Sequence, residues 1–141
     1  MKGTMNLLHR IIPYAAALCA LSVEAQLSVT VSLPKFTGQK AVVELKITND
    51  LPQRVESARA VCFLLDDQGE MVGQSAKWVI GGTKNRPALE PKDDTTFNFV
   101  ITSTQPLIST NLTAKVSFSR VVLEGGKLAD PKADVQIANV K

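Results

Sequence analysis

The chain has 141 residues, 45% of them hydrophobic, and a formal net charge of +3. That length fits one domain of the usual ~100–200 residues, and so small a positive balance, with no basic run longer than two residues, is no electrostatic footprint for nucleic acid. The only histidine, His9, stands near the N-terminus, so the rest of the chain has no Ser-His-Asp or Cys-His centre and none of the histidine-containing zinc sites.

The N-terminal stretch differs in character from the rest of the chain. Lys2, His9 and Arg10 form a basic head, residues 11–23 are almost uncharged and rich in Ala and Leu, and Val23-Glu24-Ala25 supplies small residues before Gln26. This order is that of a secretory signal peptide over residues 1–25, cleaved after Ala25, with the domain proper over residues 26–141. The apolar stretch falls short of the roughly 20 residues that span hydrocarbon. Membrane contact is therefore expected only through an uncleaved signal segment, and the compartment is secreted or periplasmic. A lipoprotein signal would need a small residue before Cys19, and Leu18 stands there. Cleavage discards Cys19 and leaves Cys62 as a single thiol with no intramolecular partner, although an exported compartment permits disulfides.

After Gln26, Leu27, Val29, Val31 and Leu33 alternate with serine and threonine in a half-buried strand that ends at Pro34. Residues 35–39 read as a turn around Gly38, and Ala41, Val43, Leu45 and Ile47 alternate with Glu44, Lys46 and Thr48 in a second strand. Asn49-Asp50-Leu51-Pro52 breaks it. Residues 58–65 form the apolar centre of the chain, closed by the turn Asp66-Asp67-Gln68-Gly69. Residues 71–80 are the next extended segment and carry the only tryptophan, Trp78. The polar loop 81–87 comes next, then Phe97, Phe99 and Ile101 alternating with Asn98 and Thr102. Ala114, Val116 and Phe118 alternate with Lys115, Ser117 and Ser119, and a final hairpin through Glu124-Gly125-Gly126 ends with Val135 and Ile137.

About seven strands separated by turn signals, with no segment of helical period after the signal, predict an all-β protein. Strands of period two bury one face each and need a second sheet, which makes an immunoglobulin-like two-sheet β-sandwich the economical solution. The strand at 60–65 is apolar on both sides. Leaving Phe63 and Leu65 outside would create an apolar patch, so Val61, Phe63 and Leu65 are expected in the core, with Ala60, Cys62 and Leu64 on the outer side.

Ile47-Thr48-Asn49, Leu64-Leu65-Asp66-Asp67-Gln68-Gly69 and Leu89-Glu90-Pro91 followed by Phe97 together resemble the FxLYD-type domains of exported bacterial and archaeal proteins. The likeness covers about residues 41–101. In the name-giving motif Cys62 stands where the family has Phe, and Leu65 where it has Tyr. The resemblance implies an immunoglobulin-like fold and an exported location, and carries no catalytic residue.

Each remaining candidate has a structural alternative. Cys62, between Val61 and Phe63, reads as an inert buried thiol rather than a nucleophile. Asp66, Asp67 and Glu70 could offer oxygens to Ca²⁺, yet Asp before Gly is ordinary turn chemistry; Glu90, Asp93 and Asp94 read the same way. Gly81-Gly82-Thr83-Lys84 lacks both the spacing and the helix of a P-loop. Asn111-Leu112-Thr113 fits a glycosylation sequon, which matters only in a eukaryotic secretory pathway. No catalytic residue, metal or cofactor is expected. Leu64, Trp78, Lys84 and Arg86 are the candidate partner-binding residues; Trp78 reads equally as a filler of the sandwich core, and Lys84 and Arg86 as part of a solvated connection. The expectation is an exported, non-enzymatic binding or scaffolding module that meets a protein partner or its own copy through a sheet face or edge. Its alternatives are a carboxylate-based hydrolase or carbohydrate-binding module, and a subunit of an envelope assembly that accepts a partner strand.

Overall fold

The computed structural model describes residues 25–103, 106–107 and 111–140; the expected signal segment lies outside them but for Ala25. Eight strands form where apolar and polar side chains alternate: β1 (Leu27–Val31), β2 (Lys35–Thr37), β3 (Lys40–Asn49), β4 (Val55–Leu65), β5 (Met71–Ile80), β6 (Asp94–Thr102), β7 (Thr113–Leu123) and β8 (Val135–Asn139). They build two sheets packed as a sandwich. The five-stranded sheet runs β2-β3-β1-β8 with β6 also paired to β3, and the three-stranded sheet runs β5-β4-β7.

The eighth strand beyond the expected count arises near Pro34. Val31 lies opposite Leu45 and Lys35 opposite Val42, so one extra residue is accommodated between β1 and β2 on the same side of β3. Such a bulge lets the chain pass a proline, which cannot donate to the ladder, and then resume pairing. Residues 35–37 are thus strand, not turn, and the reversal is confined to Gly38-Gln39.

The expected final hairpin forms only as a short return and does not extend to Val135 and Ile137. After β7, residues 124–126 make a single 3-10 turn, and the chain doubles back briefly on β7, with Leu123 N–H donating to Lys127 O and Ala129 N–H to Val121 O. Asp130 and Asp134 then cap a turn, Asp134 Oδ2 accepting from Asp130 N–H at 2.8 Å and Asp130 Oδ1 from Lys132 N–H at 2.9 Å. This carries the chain to the other sheet, where β8 pairs in parallel with β1.

The core lies between the sheets. Leu27, Val29, Val31, Val43, Leu45, Ile47, Phe99 and Ile101 enter it from the larger sheet, and Ala58, Ala60, Cys62, Leu64, Ala114, Val116 and Phe118 from the smaller. This reverses the expected faces of β4. Ala60, Cys62 and Leu64 are fully buried, whereas Val61, Phe63 and Leu65 are half-buried on the outer side. Volume explains the choice: the opposing sheet fills the gap of about 10 Å with Leu, Ile and Phe, so β4, central in its own sheet, contributes the small Ala58, Ala60 and Cys62 there, with Leu64 as its one large core residue.

Asn49, fully buried at the end of β3, fastens the loops at one end of the sandwich. Its Nδ2 donates to Gln53 O and to Leu89 O, both at 3.0 Å, and its Oδ1 accepts from Leu51 N–H at 3.0 Å. Its backbone meets the next loop as well, its N–H donating to Asp93 O and its C=O accepting from Lys92 N–H. Along one side of the sandwich, β5 closes on β6: a Cβ at Gly73 would stand 2.8 Å from Ile101 Cγ2, so only glycine allows this approach.

Candidate functional site

The outer face of the three-stranded sheet is where the fold leaves apolar surface beside unmatched charge. Strand pairing sets its rows. Arg59 on β4 lies between Trp78 on β5 and Arg120 on β7, and Val61 between Ala76 and Ser117. Phe63 lies between Gln74 and Lys115, and Leu65 between Met71 and Thr113. Val61, Phe63 and Leu65 are half-buried, while Lys115, Arg120, Gln74 and Met71 around them are exposed. The result is a shallow apolar trough along β4, flanked by Gln74 and Lys115 at Phe63 and by Met71 at Leu65, open at Ala76 and Ser117 beside Val61, cationic on the β7 side at Arg120 and Lys115, and free of carboxylates in all four rows. The outer face of the larger sheet is different. Its central strand presents Lys40, Val42, Glu44, Lys46 and Thr48, a mixture of both signs, and its apolar contribution is the neighbouring pair Val42 and Val100.

The structure separates the four candidate residues. Leu64 has 0% of its surface exposed and belongs to the core, so it offers nothing to a partner. Trp78 is on the outer face, where the Arg59 guanidinium lies 5.7 Å from the ring centroid. Its other neighbour is Gly82, at φ +76, where a Cβ would overlap the indole. Trp78 is therefore already engaged by its own chain. Lys84 is exposed in a loop closed by Arg86 N–H donating to Thr83 O. Arg86 turns toward the other sheet, its guanidinium 4.7 Å from the ring of Phe97, which packs edge-on against Phe99 at 5.0 Å. The residues sequence reasoning missed are Arg59, Lys115 and Arg120. Lys115 is legible as a polar outward position, but its alignment with two arginines appears only once the strands are paired.

Among the described residues, grooves open beside the sheets as well. One of about 460 Å³ opens between the outer edge of β7 and β8, lined by Val116, Phe118, Val135 and Ile137 with Asp130 and Lys132 at its mouth. Another of about 240 Å³ lies beside Arg86, Asp93 and Asp94 and is not lined by Trp78.

Three further titratable groups are tied into a turn, an ion pair and the core. Asp66 Oδ1 accepts from Gln68 N–H and Glu70 N–H, both at 2.9 Å, so its carboxylate organises the β4–β5 turn. Arg54 bonds Glu56 at 2.9 Å, and that hydrogen bond, followed by the charge of Glu90, holds the guanidinium above its ordinary range. Burial pushes the Cys62 thiol up to about 11, which leaves it protonated and unreactive at neutral pH. Among the described residues no group of three His, Cys, Asp or Glu side chains could hold a metal ion, and no helix is long and apolar enough to cross a membrane.

No family model matches this chain, and no curated protein matches it. Solved structures do. A Bordetella pertussis protein designated ApaA is 17% identical, with 76% of this chain and 89% of that one covered at a TM-score of 0.53. That likeness shows the β-sandwich fold. A β-glucuronidase of glycoside hydrolase family 2 matches at 17% identity and TM-score 0.40, over 72% of this chain and 10% of the enzyme. A family 2 glycosyl hydrolase from Bacteroides cellulosilyticus matches at 16% identity and TM-score 0.41, over 72% of this chain and 14% of that one.

Proposed function

We propose that the chain is an exported, non-enzymatic binding or scaffolding module with an immunoglobulin-like fold, and that it meets a protein partner through the outer face of the β5-β4-β7 sheet. The observation that carries this reading is the trough of Val61, Phe63 and Leu65. Three adjacent outward positions of a central strand remain apolar although the core is filled by the opposite face, and contiguous apolar surface of this kind marks interaction sites. The immunoglobulin-like reading draws support from topology: the chain crosses between sheets from β3 to β4, from β5 to β6 and from β6 to β7, as Greek-key sandwiches do. Export rests on the basic head, apolar stretch and small residues ending at Ala25, and accords with the resemblance to FxLYD-type domains.

Peptide selection tests the binding face. Sequences enriched from a phage-displayed library of random dodecapeptides on the immobilised protein are expected to fail on a Val61→Ser/Leu65→Ser variant whose circular dichroism is unchanged. Equal binding to both proteins would refute the assignment.

A second reading, a subunit that takes up a partner strand, has one observation in its favour. Asn139 Nδ2 donates to Ala114 O at 2.7 Å, so the Ala114 carbonyl faces β8. The two-residue period then points the backbone groups of Val116 and Phe118 into the groove. β8 in turn bonds β1 through Asp134 O and Val140 N–H, which leaves the backbone of Val135 and Ile137 facing the groove from its other wall. An extended segment entering there would find a ladder on each side.

A further inference from the structure

The geometry points to an acidic polypeptide segment as the occupant of the trough: an extended stretch whose apolar side chains meet Val61, Phe63 and Leu65 while its carboxylates meet Arg59, Arg120 and Lys115. This inference rests on the proposed binding face and adds the charge of the partner.

Arg59 and Arg120 stand directly opposite each other across β4 and β7, and like charges in that position destabilise a sheet. Among the described residues neither they nor Lys115 enters an ion pair; the ion pairs shown belong to Arg54. Cations on an exposed edge strand discourage edge-to-edge aggregation, which accounts for Lys115 and Arg120 on β7. Arg59, on the central strand, lies over Trp78, a contact that holds the guanidinium without neutralising its charge. A guanidinium gives a carboxylate charge-assisted, frequently bidentate hydrogen bonds, so an anionic partner would offset the like charges of this cross-strand pair.

The form of the surface selects among anionic partners. Val61 to Leu65 spans about 13 Å at the usual rise per residue, the length of four or five extended residues. The apolar groups are half-buried and form a line one strand wide, flanked at Phe63 by Gln74 and Lys115, a width that matches a single extended peptide and not the broad apolar area that a bilayer meets. A sugar ring would need an open aromatic face, and Trp78 is engaged by Arg59 and Gly82.

The test extends the dodecapeptide selection. Enriched sequences should combine Asp or Glu with Leu, Ile or Phe. Synthetic copies, followed by fluorescence anisotropy, should bind at least about tenfold more weakly to Arg120→Glu, the loss expected for one charge-assisted contact, and more weakly as salt rises. Lys40→Glu on the opposite face should change nothing. Arg120→Glu should also melt at a higher temperature than the wild type, which shows that lost binding is not lost folding. Neutral or basic enriched peptides, no enrichment, or affinity insensitive to Arg120→Glu would overturn the inference. So would binding of dextran sulfate or phosphatidylglycerol vesicles with no acidic peptide bound, or a concentration-dependent dimer in sedimentation that Arg120→Glu dissociates. Peptides that require Val61 and Leu65 but tolerate Arg120→Glu would remove the acidic partner and leave the binding face standing.

Discussion

Asn49 and Cys62 show how much single buried side chains decide in this sandwich. The short string after Ile47 marks a strand end, yet nothing local reveals that the Asn49 carboxamide joins Leu51, Gln53 and Leu89. Its last partner is forty residues away, and only tertiary packing brings it there. Cys62 is the opposite case: its apolar neighbours announce burial, and the structure places it in the core. That burial has a pH signature. The unfolded thiol ionises near pH 9 while the folded one holds its proton up to about 11. The unfolded state therefore binds fewer protons in that window, and stability, complete below about pH 9, falls as pH rises through it. Urea denaturation at about pH 8 and pH 10.5 should show the wild type losing roughly 2 kcal/mol more than Cys62→Ala over the same interval. Equal losses would mean that the thiol is not shielded.

At the scale of elements, periodicity identified the long strands because each alternates along its length. It could not assign the faces of β4, which is apolar on both. Area alone argued for burying Phe63; what decided the matter was the volume supplied by Leu45, Ile47 and Phe99 across the gap, a property of the other sheet. Leu64 was misplaced for that reason. β8 escaped in a similar way, since its alternation says that it is a strand but not that it joins β1 in parallel rather than β7 in a hairpin. The corrected face makes a sharp contrast between neighbours. Leu64→Lys buries an unpaired charge and should abolish cooperative thermal unfolding, whereas Phe63→Lys, on the half-buried outer side, should leave a folded protein. The reverse pattern would restore the expected orientation. The cross-strand arginines belong to this scale too: Arg120→Glu exchanges a repulsive pair for an attractive one and should add about 0.5 kcal/mol, measured by the shift in urea midpoint.

For the whole molecule, the two outer surfaces divide the work. The larger sheet presents threonine, serine and charges of both signs, as an ordinary solvated face does, while the smaller sheet presents a half-buried apolar line with cations along its β7 side. The β7–β8 groove is the alternative proposed for a partner strand, and what it would present is backbone. Methyl chemical shifts of the protein titrated with a selected acidic peptide separate these possibilities most directly. If the outer face of β5-β4-β7 binds, the largest changes fall on Val61, Leu65 and Met71, with Val116, Val135 and Ile137 little affected. Changes centred on the latter three, or on Val42 and Val100 of the opposite sheet, would contradict the assignment.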